Sequence, residues 1–101
     1  MNLLNFPEML SKARQMQEQM QRQMSEMRVE ASSGGGMVLV VMNGQKYILS
    51  ITIDPQLLKD GDVEVLQDLV SGAVNQAAQR VDEQLQSGVG SLLNSLNLPK
   101  P

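Results

Sequence analysis

The chain has 101 residues, with eight Lys or Arg against eleven Asp or Glu and a net charge of −3. This length supports one domain that buries a little over ~60% of its unfolded surface, so any second core has to come from another chain. With no Cys there are no disulfides or thiolate metal sites, and with no His the commonest general base and metal ligand is missing, which together exclude most catalytic constellations.

The opening stretch Met1 to Glu8 has no basic leader followed by a long apolar run, and no later segment approaches a membrane span, so a cytosolic protein is expected. Asn5 is placed to cap a helix, Pro7 fits its first turn and Glu8 suits the positive end of the macrodipole, which predicts a first helix from Pro7 to Arg28. Met9, Ala13, Met16, Met20, Met24 and Met27 recur at the helical period and form one apolar stripe. Their unbranched side chains suit adaptable packing, so Met16 and Met20 are candidates for core or dimer contacts. A helix of about 22 residues is ~33 Å long against a radius of gyration near 13 Å for a globule of this size, so part of the stripe should overhang its own domain.

Val29 to Ser33 reads as a short edge strand, and Gly34-Gly35-Gly36 as a turn or bulge. Met37 to Met42 is an apolar run, Asn43-Gly44 is a two-residue hairpin signal, and Tyr47 to Ile53 is rich in β-branched residues, which predicts an antiparallel hairpin. In the second hairpin strand, period 2 puts Tyr47, Leu49, Ile51 and Ile53 on one face and Ile48, Ser50 and Thr52 on the other. The first strand has no polar face, so Val38 and Val40 call for cover on both sides, from this chain or a partner.

Asp54-Pro55 ends the strand, Lys59-Asp60-Gly61 reads as a loop, and Asp62 can cap a second helix running to Gln86. Its buried stripe is Leu66, Leu69, Val70, Ala73, Ala77, Val81 and Leu85, with Gly72 and the alanines allowing close approach of another element. Gly88 and Gly90 break the pattern, so residues 87–101 are expected to be a flexible tail. The whole is one domain over 1–101 of α+β class, with helices segregated from strands along the chain.

Several stretches resemble the YbaB/EbfC family: the Met/Gln-rich first helix, Ser33-Gly34-Gly35-Gly36-Met37-Val38, Asn43-Gly44, Ile53-Asp54-Pro55-Gln56-Leu57-Leu58, Val65-Leu66-Gln67-Asp68-Leu69-Val70, Asn75-Gln76-Ala77-Ala78 and Leu96-Asn97-Leu98-Pro99. Together they cover nearly the whole chain in the family's order. The resemblance implies an α-β-β-β-α protomer with a three-stranded antiparallel sheet. It further implies a homodimer built by the sheet and second helix, from which the long first helices project like tweezers. It also implies double-stranded DNA as partner and a cytoplasmic, nucleoid-associated location. Where many members carry a Lys in the first hairpin strand, this chain has Leu39.

For duplex binding the candidate contacts are Lys12, Arg14, Arg22 and Arg28 on the first helix, with Arg80 on the second and Lys46 beside the hairpin as weaker ones, because cations along a rigid rod can follow a phosphate backbone. The plainer account of the first four is a solvated helix face balanced by Glu8, Glu18, Glu26 and Glu30. Asp60, Asp62 and Glu64 lack the other ligands of a calcium loop and are read as helix capping, and the glycine run lacks the Gly-Lys-Ser/Thr of a phosphate loop. No catalytic residue, cofactor, metal, membrane or small-molecule substrate is expected. The rival to DNA binding is a scaffold dimer that reaches the nucleoid or replication machinery through another protein, as an acidic chain with a charge-balanced helix would.

Overall fold

The computed structural model describes residues 5–59 and 61–95. The elements are α1 (Phe6–Glu26), β1 (Val29–Ser33), β2 (Val38–Met42), β3 (Ile48–Ile53), a short α2 (Pro55–Lys59) and α3 (Val63–Ser95). The strands form one antiparallel sheet in the order β1-β2-β3. This is the expected α+β arrangement with a long helix at either end; the one-turn α2 occupies the stretch after the Asp54-Pro55 strand end.

Cross-strand pairing decides which side chains share a face. Val29, Ala31 and Ser33 pair with Met42, Val40 and Val38, and those in turn pair with Ile48, Ile51 and Ile53. This inner face carries α3, which packs on β1 and β2. Val38, Val40, Ala73, Ala77 and Val81 are completely buried between helix and sheet, with Val29, Ala31, Met42 and Leu57 closing the core around them. The alanines let the helix axis lie close to the strands, and Leu66, Leu69, Val70 and Val74 pack half-buried along its margin. Leu85, expected in the same stripe, is exposed, and it lines a groove with Met24 and Met27 instead of the sheet core.

A register shift opposite Met42 places Ile48 and not Leu49 across from it. Such a bulge sets two residues against one, so Ile48 joins Ile51 and Ile53 on the inner face, against the strict alternation that period 2 predicts. The hairpin connection also differs from a two-residue turn. It runs over residues 43–47: Asn43 N–H donates to Tyr47 O at 3.0 Å, and the buried Asn43 Oδ1 accepts from the Gln45 and Tyr47 amides at 3.0 Å each. Gly44 serves a different purpose from turning the chain. Its amide donates to Met24 O at 2.8 Å, and a Cβ there would lie 2.8 Å from that carbonyl oxygen and 3.0 Å from Met27 Sδ.

That contact is where α1 meets the rest of the molecule. Met24 and Met27 are half-buried, whereas Met16 and Met20 are 66% and 62% exposed and α1 contains no buried residue. The candidate core role of Met16 and Met20 is therefore not met within the chain. Asn5 stands at the N-cap without a side-chain hydrogen bond, and α1 stops at Glu26, where Met27 turns to extended backbone, so Arg28 lies beyond the helix and not in it. At the other end Asp62 caps as expected, its Oδ1 accepting from Val65 N–H at 3.2 Å. Helix α3 continues through Gly88 and Gly90 to Ser95, correcting the tail expected from residue 87. Two helical glycines cost only about 1 kcal/mol each relative to Ala, too little to end a helix of this length. The rest of the expected tail, 96–101, lies outside the described residues.

The contrast between two glycines gives a test. Gly44→Ala is expected to destabilise by about 1–3 kcal/mol because Met24 backbone must move. Gly72, on α3 with no heavy atom within 4 Å of an added Cβ, should gain about 0.5–1 kcal/mol on replacement by Ala. Urea denaturation of both variants measures the two signs.

Candidate nucleic-acid interface

Helix α1 carries Lys12, Arg14 and Arg22 in full exposure over its 21 residues. At 3.6 residues per turn, Lys12 and Arg14 point about 160° apart, and Arg22 lies about 80° from each. The three cations thus spread over about 160° of the rod, on the half that faces away from the methionines, and do not fall in one narrow row. Arg14 and Arg22 share a row with Glu18 and Glu26, on the side opposite the methionines. The flanks of the methionine stripe carry Gln17, Gln19, Gln21 and Gln23, so the apolar face is bordered by neutral hydrogen-bonding groups.

Past the helix, Arg28 Nη1 donates to Ser25 O at 2.7 Å and to Met27 O at 2.9 Å. A cation on these last carbonyls satisfies acceptors that the helix leaves open and sits at the negative end of its dipole. Arg80, on the part of α3 that crosses β1, donates from Nη1 to the backbone oxygen of Glu30, fifty residues away in the chain. The result is a cleft lined by Arg28, Val29, Glu30, Arg80, Glu83, Gln84 and Ser87. Sequence reading named both arginines separately; no local signal could place them together, because their meeting depends on how α3 crosses β1.

Lys46 is differently placed. It holds a left-handed backbone conformation, φ 65°, and its Nζ lies 2.9 Å from Asp82 Oδ1, which ties the hairpin loop to α3. On the neighbouring face of α3, sharing Gln84 with the arginine cleft, Met20, Met24, Met27, Leu85 and Gly88, with Gln23, line an apolar groove between the base of α1 and the helix. Of the remaining packing candidates, Val38, Val40 and Ala73 are buried, and Leu66 and Leu69 border the core. Among the described residues no group of three or more Asp or Glu is placed to hold a metal ion, and no helix is long and apolar enough to cross a membrane.

A two-layer α-β-β-β-α fold with a long first helix that has no buried residue is thus the class of protein to which this chain conforms. The chain belongs to the YbaB/EbfC DNA-binding family, whose family model matches residues 1–96. It is 48% identical over 95 residues to a nucleoid-associated protein of Koribacter versatilis, a match covering 94% of each chain. It is 43% identical over 98 residues to a nucleoid-associated protein of Thermoanaerobacter pseudethanolicus, covering 94% of this chain and 88% of that one. Among solved structures it is similar to an uncharacterized protein of Helicobacter pylori, with a TM-score of 0.73 and 26% identity, over 92% of this chain and 98% of that chain.

The Lys46–Asp82 pair is solvent-exposed on both sides, 47% and 57%. Lys46→Met is therefore expected to change unfolding free energy by less than about 0.5 kcal/mol, measured by urea titration at low and high salt.

Proposed function

We propose that this protein is a homodimeric, largely sequence-nonspecific binder of double-stranded DNA, located in the bacterial cytoplasm at the nucleoid. In this reading the α1 helices of the two copies project from a joint core and hold the duplex through phosphate contacts from Lys12, Arg14 and Arg22. The observation that carries it is α1 itself: a 21-residue helix with no buried residue, seated on the domain at its last turns alone, in a member of a DNA-binding family. A helix so poorly packed on its own chain retains its surface for something outside it.

Support for the dimer comes from β3. It is one of the two outer strands of the sheet and the one on which α3 does not pack, and Ile48, Leu49 and Ile51, with Tyr47 just before it, are all exposed. A bare hydrophobic edge of this kind is an association surface unless something covers it, and a second copy of the chain is the natural cover for a core this small. The scaffold reading draws its support from the net charge of −3 and the Glu18 and Glu26 interleaved with Arg14 and Arg22.

Fluorescence anisotropy with a short labelled duplex at two salt concentrations separates the two. Phosphate gripping requires affinity that falls steeply with salt. Arg14→Glu combined with Arg22→Glu should abolish binding while circular dichroism and light scattering still report a folded dimer; an unaltered affinity sinks the gripping model and leaves the scaffold. Independently, Ile51→Lys should convert the dimer to a monomer at micromolar concentration, read by light scattering, because it sets a charge on the surface that the copies would bury.

A further inference from the structure

We infer that the cleft where Arg28 and Arg80 meet is a phosphodiester seat at the foot of α1, where a DNA strand running along that helix is anchored. The inference rests on the DNA-binding reading above and adds the place of the grip. Two guanidinium groups, the Gln84 amide and the Ser87 hydroxyl line one open cleft with Val29, Glu30 and Glu83. Arginine forks, amides and hydroxyls are the side chains that hold phosphate oxygens in protein–DNA contacts.

Both forks are already oriented. Arg28 has Nη1 on the carbonyls of Ser25 and Met27, and Arg80 has Nη1 on the carbonyl of Glu30. Each guanidinium carries five N–H donors in a rigid plane, so fixing one nitrogen on backbone leaves the others aimed and lowers the ordering that binding would require. Neither is matched by a carboxylate: among the described residues the one ion pair is Lys46–Asp82, although Glu30 and Glu83 line the same cleft. Those two carboxylates set what the cleft accepts. Two positive and two negative groups favour a singly charged phosphodiester over a more highly charged phosphate ester, whose second charge the glutamates would oppose.

Arg28 is bound to the end of α1 and Arg80 to β1 through Glu30, so a phosphate held by both would link the projecting helix to the sheet and α3.

The test is the salt dependence of duplex binding, measured by anisotropy for the full chain and for Arg28→Gln, Arg80→Gln and the double variant. Loss of one phosphate contact lowers the slope of log affinity against log salt by about one, so the single variants should each lose about one and the double variant about two. Arg28→Lys and Arg80→Lys, which keep the charge without the fork, should retain most of the slope with weakened affinity. Side-chain NMR of the unaltered protein should show the Arg28 and Arg80 Nε–H signals shifting on addition of duplex. Weaker affinity with an unchanged slope, or duplex binding that leaves both Nε–H signals in place, overturns the seat while the DNA reading stands. No duplex binding by the unaltered protein at low salt overturns both.

Discussion

One helix covers one sheet face, and the rest of the molecule follows from which helix that is. Ala73, Ala77 and Val81 bring α3 down onto Val38, Val40 and Met42, and this contact contains most of the completely buried side chains. Helix α1 does not pack on the strands as α3 does. It is held instead by its last turns, through the Gly44 amide on Met24 O and the half-buried Met24 and Met27. A methionine stripe of helical period thus belongs to a helix that stands largely outside the core of its own chain.

The same crossing of α3 over β1 sorts the cations into two kinds. Lys12, Arg14 and Arg22 are carried out on α1 with no fixed partner among the described residues, while Arg28 and Arg80 are locked on backbone carbonyls at the junction. Flexible charges on a rod suit contacts that do not depend on sequence, and locked guanidiniums suit a contact that fixes register. A nonspecific binder benefits from the first kind along the strand and from few of the second.

Much of this fold was legible in the sequence because its strongest signals are local. The apolar run of β2, the β-branched run of β3, the small-residue stripe of α3 and the Asp62 cap each follow from local composition, side-chain periodicity or one hydrogen bond to a near neighbour. What escaped has a shared physical cause. Asn43-Gly44 reads as a tight hairpin turn, yet Asn43 satisfies two amides of a longer loop, and Gly44 is there to let α1 approach, a purpose set by a helix twenty residues earlier in the chain. The bulge opposite Met42, which turns Ile48 inward, and the meeting of Arg28 with Arg80 likewise depend on tertiary placement. The glycines at 88 and 90 were over-weighted, since propensity costs of about 1 kcal/mol each are spread over a helix of 33 residues.

A net charge of −3 argues against attraction between the whole molecule and DNA, but the whole molecule is not the relevant unit. The protomer is 69 Å in its longest dimension, with α1 reaching away from the sheet. At physiological ionic strength the Debye length is about 8 Å, so a phosphate beside α1 or in the junction cleft feels the charges of that neighbourhood and little of the acidic side chains farther along the molecule. Local composition then decides. Along α1 it is close to neutral, with Arg14 and Arg22 offset by Glu18 and Glu26, and that favours contacts in which a mobile cation reaches a phosphate while its neighbouring carboxylate turns to solvent. At the junction the carboxylates of Glu30 and Glu83 remain near, but the guanidiniums are anchored and theirs is the geometry that does not relax. An acidic protein can bind a polyanion on these terms if its few cations are held where the strand passes.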